Sequence, residues 1–162
     1  MTKEFTLSVD AMGGDDGPKM TVEGVAQAFA MLPHLRVILF GNEREIAPIL
    51  STMSPDVRSR MEIRHTEDIV TNDEKPGVAL RSGRNSSMRL AINAVSDGEA
   101  AGVVSAGNTG ALMAMAKFVL KTLPGIDRPA MATSLPTRRR DCVMLDLGAN
   151  IECDAENLVQ FA

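Results

Sequence analysis

FTLSVDAMGGDDGPKMTVEGVAQAFAMLPHLRVILFG, residues 5–41, reads as a strand, a glycine-bearing turn, a helix and a second strand. Phe5 to Val9 forms the first strand. Lys19 to Leu32 places Val22, Val25, Ala26 and Phe29 on one face at helical spacing. RVILF, Arg36 to Phe40, is an apolar run closed by Gly41, the pattern of a buried strand. Two strands joined through a helix make a right-handed crossover and therefore a parallel pair.

The alternation continues outward from that unit. Glu43 to Met53 reads as a helix and Met61 to His65 as a third, weaker strand. Residues 66–85 are the least regular part, a surface loop with Pro76-Gly77 as its breaker. Ser86 to Ser96 is a helix with Met88, Ala91, Ile92 and Val95 as its apolar stripe; Gly102 to Ser105 is a strand and Thr109 to Leu120 a helix. Ala130 to Leu135 and Cys142 to Leu147 are strands joined through the turn at Arg138-Arg139-Arg140. That connection is too short for a crossover, so an antiparallel hairpin is expected. Asp154 caps a last helix that still runs at Ala162. The pattern predicts an α/β fold of three layers, a mostly parallel sheet flanked by helices. Residues 1–162 read as a single α/β domain; ENLVQFA lacks a C-cap or breaker, as expected of the N-terminal part of a longer chain.

Composition narrows the function classes. The net charge of −4, the absence of Trp and Tyr and the five Phe argue against a nucleic-acid partner. Cys142 and Cys153 make neither a disulfide framework nor a zinc pattern. The N-terminus enters a strand almost at once, without a signal peptide, and no apolar run approaches the roughly 20 residues of a spanning helix. A cytoplasmic protein is expected, with surface contact to a membrane left open.

Three strands end in short polar turns with glycine: VDAMGGDDGP (9–18), VSAGNTGA (104–111) and LDLGAN (145–150). In open α/β sheets ligands bind beyond the carboxyl ends of the strands. Glycine lets a ligand approach the backbone, and the free N–H groups of the next helix attract an anion. A phosphate-like or acyl-oxygen group held against bare backbone is the reading these turns support. Other motifs fail. GGDDGPK lacks Walker spacing, no G-x-G-x-x-G follows a strand, and Val103 stands where a nucleophile elbow needs glycine. His34 and His65 read as surface residues. Asp10, Asp15, Asp16 and Asp146 form a candidate Mg²⁺ cluster, but the preferred reading has Asp10 and Asp146 orienting turns and Asp15 and Asp16 capping the next helix. No metal or cofactor is expected. Met12, Met113, Met115 and Met131 read as core filling ahead of an acyl-chain groove.

VDAMGGDDGP, NSSMRLAI, VSAGNTGALMA, LPGIDRPAMA and LDLGANIECDAENLVQFA together resemble the phosphate acyltransferase (PlsX) family of bacterial phospholipid synthesis, in family order and across nearly the whole chain. The resemblance implies transfer of a long-chain acyl group from acyl-carrier protein to inorganic phosphate, giving acyl phosphate. A membrane acyltransferase would then pass that group to glycerol 3-phosphate. It implies an isocitrate-dehydrogenase/phosphotransacetylase-like fold, a homodimer and loose attachment to the inner membrane face. The substrate-binding candidates are Gly13, Gly14 and Asp15 in the first turn, and Ser105, Gly107, Asn108, Thr109 and Gly110 in the second. Asp146, Gly148, Ala149 and Asn150 form the third, and Ser86 and Ser87 join the same edge. The family's catalytic lysine and asparagine are expected beyond residue 162, so no acid or base is assigned. Two other readings stand beside this one: a phosphotransacetylase-like enzyme using acyl-CoA, and a non-catalytic phosphate-binding or dimerisation module.

Overall fold

In the computed structural model, which describes residues 4–127, 129–147 and 152–161, β1 (Phe5–Asp10) lies inside a four-stranded parallel sheet. Its neighbours are β2 (Leu35–Gly41) and β4 (Gly102–Ser105), with β3 (Met61–His65) beyond β2, so the order is β3-β2-β1-β4. Asp10 pairs with Phe40 on one side and Ser105 on the other, so the carboxyl ends of three strands finish level. The winding reverses between β1 and β4, because the chain moves outward through β2 and β3 and then returns to the opposite side of β1. Crevices open at such reversals.

Strand alternation sends side chains to two cores. Val9, Val37 and Leu39 meet Val22 and Phe29 of α1 (Gly17–Met31) and Ile46 of α2 (Glu43–Ser51). On the other face Ile38 and Phe40 pack on Ala91 and Ala94 of α5 (Ser87–Ser96). Met88 and Ile92 of α5 then join Ala79 of α4 (Pro76–Ser82) and Ala111 and Met115 of α6 (Thr109–Leu120). The expected three-layer α/β arrangement is therefore present. Ser8 points into the second core, where its hydroxyl donates to the Ala91 carbonyl at 2.7 Å, so the buried polar group keeps a partner.

Two short helices fall where the sequence suggested irregular chain or none. α3 (Pro55–Ser59) starts at a Ser54 cap whose hydroxyl accepts from the Val57 N–H. α4 starts at Pro76, which the sequence reading took for a breaker. Proline in the first helical turn has no N–H to waste and a preset φ, so it opens this helix instead of ending one.

Contacts divide the chain into two compact units, Met1–Leu120 and Lys121–Ala162. Within the second, β5 (Ala132–Leu135) and β6 (Cys142–Leu145) form the expected antiparallel pair, in register from Ala132↔Leu145 to Leu135↔Cys142. α7 (Ala155–Phe161) is capped as expected, the Asn157 N–H donating to Asp154 Oδ1 at 2.8 Å. No helix among the described residues is long and apolar enough to cross a membrane.

Candidate functional site at the strand ends

Asp10, the last residue of β1, organises the carboxyl edge of the sheet. Its Oδ1 accepts from the Ser87 hydroxyl at 2.6 Å and the Met12 N–H at 3.3 Å, and its Oδ2 accepts from the Ser105 hydroxyl at 2.7 Å. Ser105 Oγ in turn accepts from the Gly107 N–H at 3.1 Å. One carboxylate thereby ties the turn after β1, the start of α5 and the turn after β4. Asp10 is only 3% exposed, so these bonds replace the hydration it gave up. Its expected role in orienting turns is confirmed.

The two glycine turns lie backbone against backbone. A Cβ on Gly13 would fall 2.7 Å from Asp10 Oδ2 and 2.8 Å from the Gly107 nitrogen. These two glycines thus serve each other, while Gly14 supplies a left-handed φ of 96°.

Asn108 does the corresponding work for the second turn. Its Oδ1 accepts from the Ala111 N–H at 3.0 Å and caps α6. That bond orients the amide, and Nδ2 donates to the carbonyls of Glu74, Thr71 and Asn72 at 2.8, 3.1 and 3.2 Å. From the first turn, Asp15 Oδ1 accepts from Asn72 Nδ2 at 2.7 Å. The stretch Thr71–Glu74 is thus strapped to both turns. Within it, the Thr71 hydroxyl donates to Asp73 and holds that exposed carboxyl below the usual carboxylate range. Gly110 completes the closure, since a Cβ there would lie 2.8 Å from Pro76 Cγ.

Several candidates from the sequence have their polar side chains engaged within the protein. Ser86 and Ser87 are both buried; Ser86 Oγ donates to the Gly83 carbonyl and accepts from the Arg89 N–H, while Ser87 is bound to Asp10. Asp16 occupies the N-cap position of α1 without a side-chain cap bond, and Asp15 turns to Asn72, so the expected capping by this pair is not found. Asp15, Ala106 and Thr109 are exposed at the edge. The first-turn N–H groups of α6, at Thr109 and Gly110, have no acceptor within the helix. Asp146 belongs to the second unit, has φ 61° and donates its N–H to the Met131 carbonyl at 2.6 Å. Gly148, Ala149 and Asn150 lie outside the described residues. Among the described residues no trio of His, Cys, Asp or Glu is placed to hold a metal ion.

Beneath the polar edge, between α1 and the β1–β4 pair, lies a cavity of about 280 Å³. Leu7, Val9, Met20, Val25 and Val104 make its walls apolar, and Asp10, Ser105 and Ala106 stand at its polar end. Met20 is therefore a cavity residue that the sequence did not single out. Met115 is fully buried among Ala79, Met88 and Ala111, as core filling requires.

The strap gives a first prediction. Asn108→Asp keeps the oxygen that caps α6 but sets a carboxylate against three carbonyls. We expect α6 to survive while amide exchange at residues 71–75, read by mass spectrometry, speeds at least about tenfold. Asn108→Ala should also lose the cap, for about 1 kcal/mol of stability. Unchanged exchange in both variants would show that the strap is held by other contacts.

The molecule is an α/β protein whose parallel sheet reverses its winding at a cluster of small polar turns, the place where open sheets of this class bind ligands. It belongs to the family described as fatty acid synthesis protein, whose model matches residues 5–162. The chain is 60% identical over 162 residues to a phosphate acyltransferase of Rhodospirillum centenum, covering 100% of this chain and 45% of the relative. It is 55% identical over 162 residues to the phosphate acyltransferase of Paramagnetospirillum magneticum, covering 100% of this chain and 46% of that protein. A phosphate acyltransferase of Shewanella amazonensis is 56% identical over 159 residues, or 98% of this chain and 46% of the relative. The chain thus spans about half the length of these curated relatives.

Proposed function

We propose that the natural-length protein transfers a long-chain acyl group from acyl-carrier protein to inorganic phosphate, forming acyl phosphate for phospholipid synthesis. The observation that carries this reading is the junction at Asp10 and Ser105, where an anion-attracting helix start adjoins the polar end of an apolar cavity. Phosphate suits the N–H groups at the start of α6, and an alkyl chain suits walls of Leu7, Val9, Met20 and Val104. The relatives' name, phosphate acyltransferase, supports the same pairing of substrates.

In this chemistry a phosphate oxygen attacks the thioester carbonyl carbon. The C–S bond then breaks, and the thiol departs with the proton that hydrogenphosphate brought. Such a step needs two groups aligned and a developing oxyanion stabilised, which fixed N–H donors achieve without a covalent enzyme intermediate. The Asp10 clasp and the Asn108 strap act here by holding those donors still. The acid and base are assigned to the part of the protein beyond residue 162. A homodimer, a cytoplasmic location with attachment to the inner membrane face, and a membrane acyltransferase that consumes the product complete the proposal.

Hydroxylamine trapping of acyl phosphate tests it. The natural-length protein should turn over long-chain acyl-carrier protein with inorganic phosphate at least about a hundredfold faster than acetyl-CoA. Preference for acetyl-CoA would move the assignment to a phosphotransacetylase-like enzyme. Phosphate binding without turnover of either donor would leave a non-catalytic module.

A further inference from the structure

On the α4–α5–α6 side of the first unit is a second cavity, of about 490 Å³, lined by Leu80, Arg81, Arg84, Arg89, Asn93 and Phe118. Three of the six are arginines and none is a carboxylate, in a chain that carries 21 Asp and Glu against 17 Lys and Arg. Arg60 and Arg64, by contrast, have partners. Arg64 is paired with Glu62 and Glu99, and its pKa is raised by those carboxylates. Arg60 donates to the carbonyls of Leu32 and Leu35. Among the described residues, no carboxylate lies within ion-pair distance of Arg81, Arg84 or Arg89. Arg89 is instead pushed down by burial and by the like charge of Arg84.

The cluster is held in place. Arg89 Nε donates to Asn93 Oδ1 at 3.2 Å, and its guanidinium sits 5.2 Å from the centroid of Phe118. Phe118 is itself 55% exposed. Two of the helices that line it also reach the strand-end site. Arg89 lies in the first turn of α5, which delivers Ser87 to Asp10, and Arg81 closes α4, whose Pro76 abuts Gly110.

We infer that this arginine-rimmed cavity is a docking surface for an acidic protein helix, that of the carrier protein presenting the acyl thioester under the function proposed above. Three like charges spread over two helices and their connection fit a row of carboxylates better than one compact anion. The apolar floor of Leu80 and Phe118 offers nothing to a free phosphate but fits the buried face of an amphipathic helix.

The test compares Arg84→Glu/Arg89→Glu with the unaltered natural-length protein, and with Arg44→Glu/Arg58→Glu on α2 and α3, which makes the same change in net charge, as a control. Two donors are used: long-chain acyl-carrier protein, and the same acyl group on pantetheine, which has neither carrier protein nor phosphate. We expect the double variant to raise KM for the carrier-linked donor at least about tenfold while kcat/KM for acyl-pantetheine stays within about twofold. Binding of the holo carrier protein alone should weaken by the same factor, with a salt dependence that the variant loses. Unchanged carrier binding would overturn the docking surface and leave the proposed reaction standing. Conversely, salt-dependent carrier binding that the variant abolishes would support the surface even if no acyl phosphate forms. Should the double variant fail to fold, Arg81→Gln/Arg84→Gln, at two exposed positions, gives the same comparison.

Discussion

Asp10→Ala is expected to lower the unfolding free energy by about 3 kcal/mol, the largest single effect at the strand-end site. The substitution strands two hydroxyls and an N–H, on the buried Ser87 and the half-buried Ser105 and Met12. Ser105 would also be free to rotate away from the Gly107 N–H. Asp10→Asn retains one acceptor oxygen, so its cost should be smaller, about 1–2 kcal/mol. Urea unfolding followed by circular dichroism gives both numbers as shifts in midpoint at constant slope. Equal midpoints for the two variants would mean that the carboxylate is not the clasp and that packing alone holds the turns.

The second large effect is expected at Gly13. Alanine there needs space already filled by Asp10 Oδ2 at 2.7 Å and the Gly107 nitrogen at 2.8 Å. The Gly107 nitrogen is backbone and the Asp10 carboxylate is held by Ser87 and Ser105, so the two turns must separate. Overpacking of this kind costs about 1–3 kcal/mol. Gly24→Ala is the control for stability, because no atom lies within 4 Å of a Cβ built there and the residue is inside a helix, on the wall of the apolar cavity and away from the two turns. It should be neutral or stabilising by up to about 1 kcal/mol. Phosphate protection against thermal unfolding provides a second readout: Gly13→Ala should abolish it and Gly24→Ala should keep it.

The sheet was legible because β2 is a continuous apolar run while FTLSVD and MEIRH alternate apolar with polar residues. RVILF admits only a strand buried on both faces once helices flank it. The hairpin of the second unit followed from a connection too short to cross over. Pro76 misled because proline marks both the end of one helix and the first turn of another, and local composition does not separate the two. At the site, the strand-end turns were visible as small polar residues with glycine. Their division of labour was not. Gly13 and Gly107 looked reserved for a ligand, yet they are needed for each other, and Ser86 and Ser87 looked available, yet both hydroxyls are committed. Apart from the local bonds of Ser86, these are contacts across scores of residues, and no periodicity within a helix or strand encodes them. The strap formed by Asn108 is the extreme case, since its acceptors are main-chain carbonyls, identical in every residue type.

The clasp also bears on the order in which the molecule is made. Asp10 meets Ser87 and Ser105 across 77 and 95 residues of intervening chain, and Ser8 meets Ala91 across 83. β1 and β2 can pair once a single crossover closes, but the links to Ser87 and Ala91 wait for α5, and the link to Ser105 waits until β4 has been delivered to the far side of β1. Loop-closure entropy is spent before such contacts repay it. The turns at the carboxyl edge are therefore joined by contacts that close far longer loops than the β1–β2 pairing does.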